Sequence, residues 1–172
     1  MEKLATRSDC SRCAALCCIA YPSDDMPGFS ARKSAGQACP KLGGDGQCTI
    51  YERRVEEGFA GCIRFECFGA GQHVVQELFN GRDWRDDPAL LAPMIETFLA
   101  MRPVSDLAYL VQKGLDLDLP PASRERLCEI EAELACIARS RASLADTART
   151  ARAEKAIRRV YATIDPATLL KP

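Results

Sequence analysis

Residues 10–18 of the chain read CSRCAALCC and bring four cysteines, Cys10, Cys13, Cys17 and Cys18, into one short stretch. If this stretch is helical, Cys10, Cys13 and Cys17 share one stripe and Cys18 points about 100° further round. Three thiols would then converge and one would diverge. Thiolates bound to one zinc ion lie within about 4 Å of each other, and short cysteine spacings make that geometry easy. A cubane iron–sulfur cluster is equally compatible with these ligands.

A second group of cysteines follows in two glycine-containing stretches. Cys39 and Cys48 flank the loop PKLGGDGQ, and Cys62 and Cys67 lie in GCIRFECFGAGQ. Because glycines allow a sharp reversal, Cys39 and Cys48 are expected to reach the same centre as the first group. The eight thiols could form two four-cysteine sites, or one site with several structural cysteines beside it. The predicted metal ligands are Cys10, Cys13, Cys17, Cys18, Cys39, Cys48, Cys62 and Cys67.

The interpretation of these cysteines depends on the cellular compartment in which the protein is found. The first ten residues, MEKLATRSDC, lack the apolar segment of a signal peptide, and no run of eighteen apolar residues occurs. The sequence therefore predicts a cytoplasmic protein without a membrane segment. Reducing conditions keep thiols free and favour metal binding, whereas a disulfide scaffold would require an export route. Two further cysteines, Cys128 and Cys136, lie in an apolar helical pattern and are expected to fill core space.

From His73 onward the sequence has helical periodicity. The stretch VVQELFNG predicts a short helix that Gly81 closes, and DDP at residues 86–88 predicts the start of the next helix. Apolar residues then recur at three- and four-residue steps on both sides of Pro103, which is expected to end one core-facing helix and begin another. The expected core positions are Leu90, Leu91, Met94, Ile95, Phe98, Leu99, Leu107, Leu110 and Val111.

Paired prolines at positions 120 and 121 mark the clearest break, and Ser123 resembles the N-cap of a long helix. The spacing of apolar residues changes after residues 140–146. This change is consistent with an antiparallel helical hairpin, and almost equally with one bent helix. The predicted fold class is mainly α, with a loop-rich, metal-stapled N-terminal module and a helical bundle that ends in a C-terminal hairpin or long helix. The expected segments are residues 1–72, 73–119 and 120–172.

The order C-x2-C-x3-CC, then CP-x-L, then C-x-IYE-R and two further cysteines resembles the YkgJ-like cysteine-cluster family, described as a zinc- or iron-chelating domain. The match runs from Cys10 to Cys67. It departs from the family after Arg53 and Arg54, where VEEGFAG precedes Cys62 and the family has an Arg-Pro pair closely followed by a cysteine. GFAGC, CFGAGQ and MIETFLAMRPVSDLAYL are similar to the form of this module found ahead of pentapeptide repeats. The repeats themselves, A-(D/N)-L-x-x in series, do not occur in the chain.

The expected function is a non-catalytic protein that holds Zn²⁺ or an iron–sulfur cluster, with a redox, metal-sensing or interaction role. For a cluster, [4Fe–4S] is the expected type. Two alternatives remain open. One is an iron–sulfur-dependent protein-modifying enzyme, by analogy with the flagellin lysine N-methylases of the broader family, and the other is a helical interaction module with a structural zinc. The apolar C-terminal helices could pair with a protein partner or a second copy of the chain, or pack internally.

Charge and histidine content limit the other function classes. The net charge of −1 supplies no global field for nucleic acid or an anionic membrane. His73, the single histidine, is either an auxiliary ligand or an ordinary helix-starting residue, and it leaves little scope for histidine-based catalysis. A basic face on the last helix is interpreted as solvated surface, so nucleic-acid binding is not expected. That face consists of Arg149, Arg152, Lys155, Arg158 and Arg159.

Overall fold

The computed structural model describes residues 3–23 and 26–165. The ends of the first and last predicted segments, residues 1–2 and 166–172, lie outside the described residues. The described chain is built from helices and turns, with one isolated bridge between Leu42 and Cys48 and no strand. The prediction of a mainly α protein is confirmed.

The N-terminal part contains only short helical elements. The prediction that residues 10–18 form one helical stripe is wrong, because Ala14 and Ala15 adopt left-handed φ values of 47° and 55° that interrupt the helical path. Both alanines are buried. The elements are a 3-10 turn Cys10–Arg12, α1 Leu16–Ala20, a 3-10 turn Tyr51–Arg53 and α2 Gly61–Arg64.

The next helix begins earlier than the sequence predicts. Helix α3, Ala70–His73, continues directly into a π-helical turn, Val74–Leu78. Gly81 follows with a φ of 73° and donates its backbone N–H to the carbonyl of Val75 at 2.8 Å. Gly81 therefore closes this helix as predicted, because glycine adopts the left-handed conformation without steric cost.

Helix α4, Leu91–Leu115, is the longest element in the described chain. Asp87 caps the preceding 3-10 turn Pro88–Leu90 by accepting a hydrogen bond from Ala89 N, so the predicted helix start is confirmed. The predicted break at Pro103 is wrong. Pro103 lies on the exposed side of α4, and the buried stripe continues past it from Phe98 to Val111. Packing of both halves along one stripe offsets the hydrogen bond that proline removes.

The C-terminal part is the predicted hairpin rather than one bent helix. It consists of α5 Pro121–Ile137, α6 Arg141–Ala145 and α7 Thr147–Tyr161, and both α5 and α7 pack against α4. Helix α5 starts at Pro121 after Pro120, so Ser123 lies inside the first turn and is not the N-cap. Proline is favoured at the first helical position because its missing N–H has no partner there.

A single hydrophobic core runs through these elements, from Leu16 and Ala70 through α4 to α5 and α7. The buried stripe of α5 is Leu127, Ile130, Leu134 and Ile137. Cys128 lies beside that stripe and is exposed, and Cys136 is half-buried, so the core role expected for Cys128 is wrong. Within the described residues no helix is both long and apolar enough to span a membrane. The three-segment division remains a prediction.

Candidate metal centre

The two residues just before the first cysteine contact the start of α3. Ser8 Oγ lies 2.9 Å from Cys67 Sγ and accepts a hydrogen bond from the backbone N–H of Gly69 at 3.2 Å. The backbone N–H of Asp9 donates to the side chain of Gln72. These contacts hold the segment that carries Cys10 next to the segment that carries Cys67.

Cys13 is 5% exposed and packs directly on α3. A Cβ atom built at Gly71 would lie 2.7 Å from Cys13 Sγ and 3.1 Å from its Cβ. Only a glycine leaves room for the thiol at this distance. Gly71 is therefore part of the site, although GAGQH in the sequence indicates no more than a tight turn.

Helix α1 supplies two adjacent cysteines. The Sγ atoms of Cys17 and Cys18 lie 3.9 Å apart, so Cys18 does not diverge from its neighbour as a regular helix through residues 10–18 would require. The backbone carbonyl of Cys18 accepts a hydrogen bond from the N–H of Cys39 at 3.0 Å. The first and second cysteine groups are therefore joined through the backbone at Cys18.

The glycine-rich loop folds back as the sequence predicts. Gly43 N donates to the carbonyl of Gln47 at 2.8 Å, and the bridge between Leu42 and Cys48 closes the loop. Asp45 accepts from the N–H of Gln47 at 2.9 Å and shapes the turn. Cys48 is thereby returned towards Cys39.

Cys62 lies in α2, beyond the VEEGFAG stretch that departs from the family resemblance. Phe59, in that stretch, is buried and meets the ring of Phe29 edge-on at 6.3 Å between centroids. Gly61 N donates to the carbonyl of Gly28 at 2.9 Å. The additional residues thus build a small anchored unit that positions Cys62.

Electrostatic interactions show which thiols are neighbours. The pKa of Cys13 is raised to about 12, mainly by burial and also by the charges of Cys67, Cys10 and Cys18. The pKa of Cys10 is also raised, first by burial and then by Cys67 and Cys18. These cysteines form one neighbourhood, which also contains Cys17, since Cys13 and Cys67 raise its pKa.

A second neighbourhood surrounds Cys62. The pKa of Cys62 is raised to about 11, mainly by burial and also by the charges of Cys18, Cys39 and Cys48. The pKa of Cys39 is raised by burial and then by Cys18 and Cys48. Cys18 interacts with members of both neighbourhoods. The structure thus brings the eight predicted ligands into two adjoining sets that meet at α1.

The thiols of Cys17 and Cys18 are within hydrogen-bonding distance of each other. The hydrogen bond from the Cys17 thiol lowers the pKa of Cys18 to about 7, against the opposing effect of burial. The same hydrogen bond, followed by burial, raises the pKa of Cys17 well above its usual range. Cys18 is consequently the thiol that ionises near neutral pH in the metal-free protein.

Two cations that the sequence pattern does not single out lie beside the thiols. Lys33 donates to the backbone carbonyls of Ile19, at 3.3 Å, and Tyr21. The guanidinium of Arg54 lies 3.8 Å above the ring of Tyr51. Both cations lower the pKa of Cys18. Arg54 belongs to the YERR stretch, but Lys33 is separated from every cysteine in sequence and carries no comparable signal.

The cysteine side chains are suitable ligands for a metal ion, but they are not arranged as a complete metal site. Four thiolates around zinc at about 2.3 Å lie roughly 3.8 Å apart, and the pair Cys17 and Cys18 matches this distance. Nevertheless, no three His, Cys, Asp or Glu side chains of the described residues form a group that could hold a metal ion. His73 Nε2 contacts the carbonyl of Ala138 at 2.9 Å.

The fold and this site define a small helical protein with a cysteine cluster in its N-terminal part. It is similar to a protein of Bacillus subtilis (strain 168) described as "Uncharacterized protein YybG", with 36% identity over 112 residues. The match covers 65% of the chain but only 40% of that relative. No family model matches the chain, and no solved structure matches it. The similarity supports a relationship between this chain and a family of YybG-like proteins.

Proposed function

We propose that the chain is a metal-binding protein whose cysteine cluster holds zinc or an iron–sulfur cluster. The observation that carries the proposal is the gathering of Cys10, Cys13, Cys17, Cys18, Cys39, Cys48, Cys62 and Cys67 into two adjoining electrostatic neighbourhoods. Buried thiols placed side by side raise one another's pKa. A cation bound between them removes that repulsion, because it favours the thiolate form.

The surrounding charges are consistent with thiolate ligands. Zinc bound by four thiolates carries a net charge of about −2, which is costly to bury without compensation. Lys33 and Arg54 supply fixed positive charge at Cys18, and Arg54 also lowers the pKa of Cys10 and Cys62. Thiolates are also the ligands that iron–sulfur clusters use, so the donor set suits either form of metal.

Metal binding by this arrangement requires the thiols to reorient about their Cα–Cβ bonds. Hydrogen bonds such as Cys39 N to Cys18 O would hold the backbone in place during this reorientation. Metal binding would then tighten the module and add directly to its folding stability. The metal-stapled module expected from the sequence is therefore part of this proposal.

The resemblance to the YkgJ-like cysteine-cluster family supports the same function, and we place the chain in that family as part of the proposal. A non-catalytic role in the cytoplasm is likewise proposed. The described pocket lies between the N-terminal residues 3–7 and the end of α4, and no cysteine lines it. The helical remainder then serves to support the cysteine module and to contact partners.

Metal analysis of anaerobically purified protein tests the proposal. The expected result is stoichiometric zinc, or iron with acid-labile sulfide and visible absorption, together with cluster thiols that resist titration until the protein is unfolded. The double variant C13S/C39S, which removes one thiol from each neighbourhood, should lose most of the metal. The matched control C128S/C136S lies outside the cluster and should retain it. Folded protein with neither metal, and with all eight cluster thiols freely titratable, overturns the proposal.

A further inference from the structure

Helix α4 presents an apolar stripe to solvent on the side opposite the core. Leu99 and Leu110 are 43% and 42% exposed. They are eleven residues apart, which is three helical turns and about 20°, so they lie on one face. Exposed Ala92 and Pro103 fall on the same face. The two leucines mark the ends of a partly apolar face about 16 Å long that has no partner within the described chain.

Charged side chains lie on this face at both ends of the strip. Glu96 and Lys113 are both exposed, and both lie within about 60° of the leucine stripe. Lys113 has one neighbour of opposite charge, Asp116, at 3.1 Å on the exposed surface. The face therefore has an acidic end at Glu96, a middle in which Leu99, Pro103 and Leu110 are joined by the ion-paired Asp106, and a basic end at Lys113.

These positions are arranged symmetrically along the helix. Residues 99 and 110 are equally far from the point between Val104 and Ser105, and so are residues 96 and 113. If a second copy of α4 packs antiparallel across a twofold axis at that point, Leu99 of each copy meets Leu110 of the other. The same arrangement places each Glu96 opposite a Lys113. An isologous interface requires such self-complementarity.

We propose that α4 forms an antiparallel homodimer through the face of Leu99, Pro103 and Leu110. The occupant is a second copy rather than an unrelated helix, because the pattern of charges on this face complements itself when reversed. Near the axis Arg102 and Asp106 form an ion pair of 2.7 Å, and the Arg102 guanidinium lies over the Phe65 ring at 5.1 Å. Because this ion pair forms within one copy, the register is set by the opposite charges of Glu96 and Lys113 at the two ends of the face.

This interface replaces the one expected from the sequence. The apolar residues of α5 and α7, including Leu134 and Ile157, are buried against the rest of the core. These side chains are therefore already engaged in packing within the chain. The exposed leucines of α4, which the periodicity had assigned to the core, are the apolar side chains left for association.

The test is the mass of the full-length protein in solution, measured by sedimentation equilibrium over a wide concentration range. The wild type should dimerise, and L99D and L110D should each raise the dissociation constant at least about tenfold, a change worth about 1.4 kcal/mol. V55D alters a 61% exposed side chain outside α4 and should leave dimerisation unchanged. Circular dichroism checks that each variant is folded.

Charge reversal tests the antiparallel register and does not depend on the leucine variants. E96K alone and K113E alone should each weaken the dimer, because each creates two like-charge pairs. An equimolar mixture of E96K and K113E should form a heterodimer at wild-type strength, since every facing pair is then of opposite sign. A wild type that is monomeric throughout, or a mixture no stronger than either variant alone, overturns the proposal.

Discussion

The Sγ atoms of Cys17 and Cys18 lie 3.9 Å apart although the two residues are consecutive in α1. Their hydrogen bond acts on the two thiols in opposite directions, so that the pKa of Cys18 falls to about 7 while that of Cys17 rises. Adjacent thiols would ordinarily point in different directions along a helix. Here the hydrogen-bonded pair lowers the pKa of one thiol towards neutral pH, and under the proposed function that thiolate would be the first ligand of an incoming cation.

Cys18 should be the most rapidly alkylated cysteine of the cluster in metal-free protein at neutral pH. The thiolate is the nucleophile, and burial keeps Cys13 and Cys62 protonated. Brief treatment with iodoacetamide followed by peptide mass spectrometry measures the order of modification. Cys128, exposed and outside the cluster, serves as the reference thiol. Metal loading should suppress modification of Cys18 but not of Cys128, and equal protection of both would contradict the prediction.

The eight cysteines should form two centres rather than one. Electrostatic neighbours group Cys10, Cys13, Cys17 and Cys67 in one set and Cys39, Cys48 and Cys62 in the other. Cys18 interacts with both sets, and a count of four thiolates per centre assigns it to the second. Replacing one ligand of a four-thiolate site weakens that site and leaves the other intact. C13S and C39S should therefore each reduce the metal content by about half, and the double variant should lose nearly all of it.

Metal content by elemental analysis, with protein concentration from amino-acid analysis, gives the ratio for each variant. C136S is the matched control, because Cys136 is half-buried and lies on α5 outside both sets. A single shared centre predicts a different result, in which either C13S or C39S alone abolishes binding. That result would reject the two-centre assignment while leaving metal binding itself intact.

Metal affinity should rise with pH across the neutral and mildly alkaline range. Because the pKa of Cys13 is raised to about 12 and that of Cys62 to about 11, their thiols hold protons that a metal must displace. Above about pH 9 the stability of the metal-free protein should change in the opposite direction, whereas between about pH 7 and 9 the lowered pKa of Cys18 adds stability as pH rises. A pKa raised by folding contributes stability below the unfolded value, near 9, that is lost as pH rises through the folded value.

Competition with a chelator of known pH dependence, measured at several pH values, checks the affinity. Urea unfolding of metal-free protein over mildly to strongly alkaline pH checks the stability. Above about pH 9, metal affinity and the free energy of unfolding should change with pH in opposite directions. A general effect of pH on the fold would not produce this difference in sign. An affinity independent of pH would show that the cluster thiols are already ionised before metal arrives.

Most of the helical fold was predictable because its apolar periodicity is strong. The hairpin turn at residues 140–146 and the cap at Asp87, which begins the 3-10 turn before α4, followed from spacing and cap chemistry. The break predicted at Pro103 failed because the local cost of proline was smaller than the gain from one long buried stripe on the opposite face. Leu99 and Leu110 show a limit of sequence periodicity. It identifies apolar positions on a helix but does not determine which of them face the core.

The candidate site was predictable in composition but not in arrangement. The eight cysteines and the reversal at Gly43 could be read from spacing, whereas the left-handed pair Ala14 and Ala15 could not, because alanine normally avoids that conformation. The roles of Lys33 and Gly71 depend on contacts across the chain. Such contacts leave no local pattern in a single sequence.

Gly71→Ala should destabilise the protein although alanine is the better helix former. Alanine in a helix ordinarily gains up to about 1 kcal/mol over glycine. At this position the added Cβ would lie 2.7 Å from Cys13 Sγ, and both groups are buried in the core side of α3. We expect a net loss of about 1–3 kcal/mol in the free energy of unfolding, as overpacking of a filled interior produces.

Urea unfolding of metal-free Gly71→Ala under reducing conditions measures this loss. Gly44→Ala is the matched control, because a Cβ at Gly44 would meet nothing within 4 Å, and its stability should stay within about 0.5 kcal/mol of wild type. Since the new methyl group displaces Cys13, Gly71→Ala should also bind less metal, whereas Gly44→Ala should bind the wild-type amount. A Gly71→Ala variant as stable as wild type would mean that Cys13 can move away from α3 at no cost, and the thiol would then not be held in place by this contact.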